Sequence, residues 1–222
     1  MSNPTTSTIA EQRASLAPFS LYFRPGACSL GPHIVLEWTG LPYELIKAPR
    51  DDSYKTINPN GAVPALKTAD GTIVLQCSAI LQLLAGVADR PDLLGGSSLL
   101  ERAAVARWAA FFTGDFHPAF FPVFVPNRYT TDESDAAKAA VKAAGIAGVA
   151  RQLGYLEQHL QGRNYFVGSQ PTIVDAYAVP MLRWVGSLMP DGRAGWPAVA
   201  AFYDRMMLDA GVVRAMAMQN IT

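Results

Sequence analysis

The chain is short of cysteine, of histidine and of charge. Among 222 residues there are two cysteines and three histidines, 16% of the residues are charged, and 18 basic side chains are matched by 18 acidic ones. Each shortage excludes something. Two cysteines, Cys28 and Cys77, cannot build a disulfide scaffold, and metal sites based on cysteine pairs need more ligands. We therefore expect no metal and a reduced, cytoplasmic setting. Zero net charge without a Lys/Arg cluster leaves no counterion release of the kind nucleic-acid binding requires. Half of the residues are hydrophobic, the reverse of a disordered composition. No apolar run reaches the ~18 residues of a membrane span, because Glu101, Arg102 and Arg107 interrupt the most apolar region. Residues 1–18, rich in Ser, Thr and Ala, lack the basic start and apolar centre of a secretory signal and read as a flexible tail.

What is present is patterned. The aromatic run Phe19 to Phe23 meets Arg24-Pro25-Gly26, as a buried strand entering a tight turn would. Leu30, Ile34, Trp38 and Leu41 recur at helical spacing, with Gly40 as the stop. Tyr43 to Lys47 predicts a second strand, Ala62 to Lys67 a third, and Asp70-Gly71 a hairpin into Thr72 to Leu75. Proline cannot donate to a ladder, so Pro64 marks an edge, a bulge or a cis bend. Ser78 reads as the N-cap of a helix over Ala79 to Ala85. Beyond a linker at 93–98, which contains Gly95-Gly96-Ser97-Ser98, only helical patterns remain. They cover Leu99 to Phe112 and Ala136 to Leu160; a further helix opens with the capping sequence Thr172-Ile173-Val174-Asp175, and another starts at Pro197. The expected class is α/β followed by all-α, as two cores with an apolar cleft between them.

Cys28 is the sharpest chemical feature. It sits between a buried strand and a helix N-terminus, where free backbone N–H groups and the helix dipole favour an anion. A thiolate there has a lowered pKa and serves as nucleophile or redox centre. The other reading is a small buried hydrophobe.

The segment Leu21-Tyr22-Phe23-Arg24-Pro25-Gly26-Ala27-Cys28-Ser29-Leu30, followed by Pro32-His33-Ile34, resembles the opening of the bacterial beta-class glutathione S-transferases. The resemblance continues through Ile57-Asn58-Pro59-Asn60-Gly61-Ala62-Val63-Pro64-Ala65-Leu66, the residues from the hairpin to Leu84, His117, and Thr172-Ile173-Val174-Asp175-Ala176-Tyr177. It covers nearly the whole chain from Phe19. The resemblance implies a thioredoxin-like domain at 19–92, a helical domain at 99–222, glutathione as co-substrate on the first, an apolar electrophile between the two, a homodimer, and a role in detoxification.

By the same resemblance Cys28 and His117 are catalytic, and glutathione meets Cys28, Val63, a cis Pro64, Cys77, Ser78 and His117. His117 would hydrogen-bond a thiolate or shuttle a proton; otherwise it is an ordinary helix-end residue. Phe112, Phe116 and Phe120 are expected to line the substrate pocket, although such residues are by default core. Asp175 is assigned to folding, as a helix cap.

Three departures bear on glutathione. Cys77 stands where the family usually has an acidic residue for the γ-glutamyl ammonium. The loop from Ala48 to Thr56 is short, leaving Arg50 or Lys55 for the glycyl carboxylate. Ala110 and Pro118 stand where the family has an Asn and a Lys. Two functions follow. One is a transferase that conjugates glutathione to an electrophile or exchanges it through a mixed disulfide on Cys28. The other is a protein of the same fold, with weakened glutathione binding, that acts as a binding or interaction module or on another substrate.

Overall fold

A computed structural model describes residues 8–221. It opens with a helix, α1 (Ile9–Leu16), where a flexible tail is expected. The cause is local: the Thr8 side chain caps the Glu11 N–H while the Glu11 carboxylate accepts from the Thr8 N–H at 2.8 Å, a reciprocal capping box. No α1 residue is buried, so there is no apolar stripe to read from the sequence. The helix is tied down by an Arg13–Asp89 ion pair and by the Ala69 N–H on the Leu16 carbonyl. Residues 1–7 of the expected tail lie outside the described residues.

Four strands follow the expected order. β1 (Phe19–Phe23) pairs in parallel with β2 (Tyr43–Lys47) and antiparallel with β3 (Ala65–Lys67), which pairs antiparallel with β4 (Ile73–Leu75). The strand order is β2-β1-β3-β4. Helix α2 (Leu30–Thr39) connects β1 to β2 and ends at Gly40, whose φ of 65° is the left-handed value that closes a helix. The Val63–Pro64 bond is cis, and β3 begins at Ala65, so Pro64 stands outside the ladder that it could not serve.

Helix α3 (Cys77–Val87) begins earlier than expected. Its N-cap is Gln76, with φ 73° and ψ 123°, and Ser78 lies inside the first turn against the side chain of Gln82. Ser78 is therefore not the cap.

The remaining described residues form helices and no strand: α4 (Leu99–Phe111), a π-helical turn (Phe112–Phe116), α5 (His117–Ala119), α6 (Phe121–Phe124), α7 (Asp135–Leu160), α8 (Ile173–Leu188), α9 (Pro197–Met206) and α10 (Ala210–Met218). The caps explain their starts. Ser98, Ser134 and Asp209 accept from backbone N–H groups of α4, α7 and α10, and Pro197 opens α9. At α8 the fully buried Asp175 carboxylate accepts from the Thr172 N–H, the Thr172 hydroxyl and the Phe166 N–H at 2.7, 2.7 and 2.9 Å.

Two separate cores are not what forms. One apolar cluster runs from Phe19 and Leu21 in the sheet through Ile34 of α2 to Val179, Phe202 and Val212 in the helical half, with a small satellite of Ala48, Tyr54 and Ala65. Contact between the halves is close because position 31 is glycine. A Cβ there would lie 3.3 Å from both the Ala176 carbonyl oxygen and the Tyr177 Cα. This approach brings the start of α8 beneath the turn that carries Cys28.

Candidate active site

The turn after β1, the cis bend before β3, the start of α3 and the broken helix around His117 converge on one cavity of about 400 Å³. Cys28, Val63, Pro64, Cys77 and His117 all face it. A larger cavity, about 610 Å³, lies between α4 and α7 around Arg107 and Tyr155 and contains none of these groups. The smaller one holds the nucleophile candidates, and it is assembled from both halves of the chain.

Cys28 is nearly buried, and its thiol donates to the Val63 carbonyl at 3.2 Å. The sequence context points to a lowered pKa; the structure reverses this. Burial pushes the thiol up to about 12, and the backbone N–H groups of Cys28 and Ser29, pulling the other way, do not compensate. At neutral pH Cys28 is a hydrogen-bond donor rather than a thiolate.

Cys77 is buried as well, its thiol 3.6 Å from the Cys28 carbonyl, and desolvation raises its pKa well above the ordinary range. It packs under the Cys28 turn and beside Tyr177. Desolvation also raises Tyr177, and the Tyr177 hydroxyl lies 3.3 Å from His117 Nδ1. Burial pushes the His117 imidazole down to about 4, so it is neutral at pH 7 and available as a hydrogen-bonding group. Its ring packs against Phe121 and Trp184, each 5.2 Å away between centroids.

Other expectations are corrected. Phe112, Phe116 and Phe120 are completely buried and line no part of this cavity. Their spacing of four residues puts them on the face of the broken helix that packs into the core. Phe121, one position on, supplies the aromatic wall and is 38% exposed. Ser78 does not line the cavity, whereas Gln76 does, exposed at the mouth. Lys55 is paired with Asp52 at 2.7 Å, and neither Lys55 nor Arg50 reaches the cavity. Pro118 lines it and Ala110 does not.

Residues to which the sequence assigns no role also line it: Asn58, Asn60, Ala62 and Tyr177 from within the motifs, and Thr113 and Arg128 from outside them. Asn58 shapes the loop before the cis bend, donating to the Ala62 carbonyl at 2.7 Å. Only Arg128 stands out in the sequence, as the one basic residue between Arg107 and Lys138.

The comparisons agree with this geometry. Residues 26–86 match the family model "Glutathione S-transferase, N-terminal domain", and residues 112–208 match "Glutathione S-transferase, C-terminal domain". A relative from Xanthomonas campestris, glutathione S-transferase GST-4.5, is 36% identical over 208 residues, covering 90% of this chain and 98% of that protein. The bacterial beta-class transferase of Sphingomonas chungbukensis superposes with a TM-score of 0.79 at 31% identity, over 91% of this chain and 100% of the other. A sphingomonad glutathione S-transferase solved in complex with glutathione superposes with the same TM-score of 0.79 at 30% identity and the same two coverages, 91% and 100%. The chain belongs to the glutathione S-transferases, with a thioredoxin-like sheet domain followed by a helical domain.

Proposed function

We propose that this transferase conjugates glutathione to an apolar electrophile in the cavity between Cys28 and His117, working as a cytoplasmic homodimer with domains at 19–92 and 99–222. The observation that carries the site is the Cys28 thiol donating to the carbonyl of the cis Val63–Pro64 bend. On binding, the thiol turns its single S–H from the Val63 carbonyl, which the cysteinyl N–H of glutathione takes over, to the glutathione sulfur and favours its thiolate form. The neutral His117 imidazole faces the glutathione sulfur as a hydrogen-bonding group; its burial opposes protonation, so the thiol proton leaves to water. The Val63–Pro64 bend holds the cysteinyl part. The start of α3 receives the γ-glutamyl end, with Gln76 as the polar side chain at that end, Cys77 beneath it and Ser78 turned aside. Phe121 replaces the three buried phenylalanines as the wall for the electrophile. Exchange through a mixed disulfide needs Cys28 as a thiolate, which its burial opposes.

The homodimer is supported by Leu99 and Leu100 at the start of α4, 79% and 84% exposed, an apolar pair suited to a two-fold interface. It is read as a sedimentation mass of twice 23.8 kDa; a monomer mass would remove this part. For the site, Gln76→Ala is expected to raise the glutathione KM by about tenfold, the loss of one hydrogen bond to a charged group. Ser78→Ala is expected to leave the KM unchanged. The opposite pattern in a conjugation assay would return glutathione recognition to Ser78.

A further inference from the structure

We infer that the electrophile carries an anionic group beside its apolar part, and that Arg128 is the residue that selects it. The cavity holds one cation and no carboxylate: among its lining residues Arg128 is the only Lys or Arg, and Asp and Glu are absent. The ion pairs among the described residues, Arg13–Asp89, Lys55–Asp52, Arg90–Asp92 and Arg214–Glu37, leave Arg128 out. Its guanidinium also makes no hydrogen bond there; only its backbone N–H is engaged, with the Val125 carbonyl at 3.0 Å. A guanidinium without a carboxylate partner, opening on a cavity whose other titratable groups are neutral, favours a bound organic anion, since Arg meets a carboxylate through two parallel hydrogen bonds.

Position assigns that anion to the electrophile. Arg128 ends a single turn (Pro126–Arg128) just after α6. It comes with Pro118 and Phe121 from the helical half of the chain, while the glutathione-binding candidates Val63 and Gln76 come from the sheet half. Phe124 and Tyr129, near Arg128 in the chain, are exposed aromatic residues at 45% and 50%. An aromatic or branched apolar acid bearing a leaving group fits the Phe121 wall. The glycyl carboxylate of glutathione is the other source of the same chemistry, and the test separates the two.

The inference rests on the transferase reading. The probes are chlorodinitrobenzene and chlorodinitrobenzoate, the same activated ring without and with a carboxylate. In each, the glutathione sulfur bonds to the chlorine-bearing carbon, the carbon–chlorine bond breaks, chloride leaves with the electron pair, and the thiol proton passes to water. In Arg128→Ala, kcat/KM for the benzoate is expected to fall by a factor of about 10–100, the range of a charge-assisted hydrogen-bond pair. The loss for chlorodinitrobenzene is smaller than for the benzoate by about fivefold or more, the glutathione KM moves less than about twofold, and Arg128→Lys restores part of the benzoate rate. Equal losses on both electrophiles with a raised glutathione KM would assign Arg128 to the glycyl carboxylate and overturn the inference, as would no change with either. No conjugation of either probe by the unaltered protein would overturn the transferase reading and the inference with it.

Discussion

Replacing Asp175 by alanine is expected to lower the thermal midpoint by roughly 10 °C, corresponding to about 3–5 kcal/mol in a chain of this length. The carboxylate is completely buried and accepts three hydrogen bonds, two from backbone N–H groups and one from the Thr172 hydroxyl. Alanine leaves all three donors buried without partners, and each orphaned donor costs about 1–3 kcal/mol. The Phe166 bond also fastens the segment before α8 to the helix start, so its loss loosens α8, which lies under the Cys28 turn. Should the alanine variant fail to accumulate, Asp175→Asn keeps the volume and one acceptor oxygen and is expected to give a smaller loss, read by the same thermal scan. A midpoint within about 2 °C of the parent for Asp175→Ala would contradict this role.

Acid is expected to destabilise the fold between pH 6.5 and 4. His33 is completely buried, bonded to the Tyr43 hydroxyl through Nε2 and to Gln219 through Nδ1. Burial pushes both His33 and His117 from 6.5 down to about 4. In that window the unfolded chain binds protons that the folded chain refuses, so stability falls as the pH falls. Each tenfold loss of proton affinity is worth about 1.4 kcal/mol, so each histidine accounts for about 3 kcal/mol.

Asp175 acts in the opposite sense. Burial, partly offset by its three donors, pushes it from 3.8 up to about 6, so its protonation favours the folded chain over nearly the same range. It offsets about one histidine, so these three groups together contribute a loss of about 3 kcal/mol. Denaturant unfolding at a series of pH values measures it. His117→Asn and His33→Asn should each flatten the pH dependence, and a stability that is level or rising on acidification would contradict the assignment.

Much of this architecture is legible in the sequence because its signals are local. Gly40 at a helix end, the Thr172-to-Asp175 box and Pro197 each act within one turn, and all three stand where their chemistry places them. At Pro64 the local signal leaves an edge, a bulge or a cis bend open, and the structure has the cis bend that the resemblance implies. What the sequence does not disclose depends on neighbours remote in the chain. The periodicity of Phe112, Phe116 and Phe120 identifies a face but not whether core or cleft lies against it, and the π-helical turn between α4 and α5 alters the register just there. Gln76 takes a backbone conformation unusual for a side-chain-bearing residue, and no propensity announces that. Ser78, a better cap by type, draws the expected helix start two residues too far. For Cys28 the turn before a helix stands as expected, yet its pKa is decided by enclosure, which Val63 and Cys77 supply from other elements.

The central claim is that Cys28 acts as a protonated donor to the glutathione sulfur, and a comparison of Cys28→Ser with Cys28→Ala tests it most directly. The measurement is kcat/KM for chlorodinitrobenzene across pH. The hydroxyl of the serine variant can still donate, so its rate should stay within a few-fold of the parent. The alanine variant should lose about tenfold and shift its acid limb upward by about one pH unit, the equivalent of one hydrogen bond to a charged sulfur. Equal inactivity of both variants, together with a glutathione mixed disulfide accumulating on the parent protein, would contradict the account and make Cys28 the nucleophile.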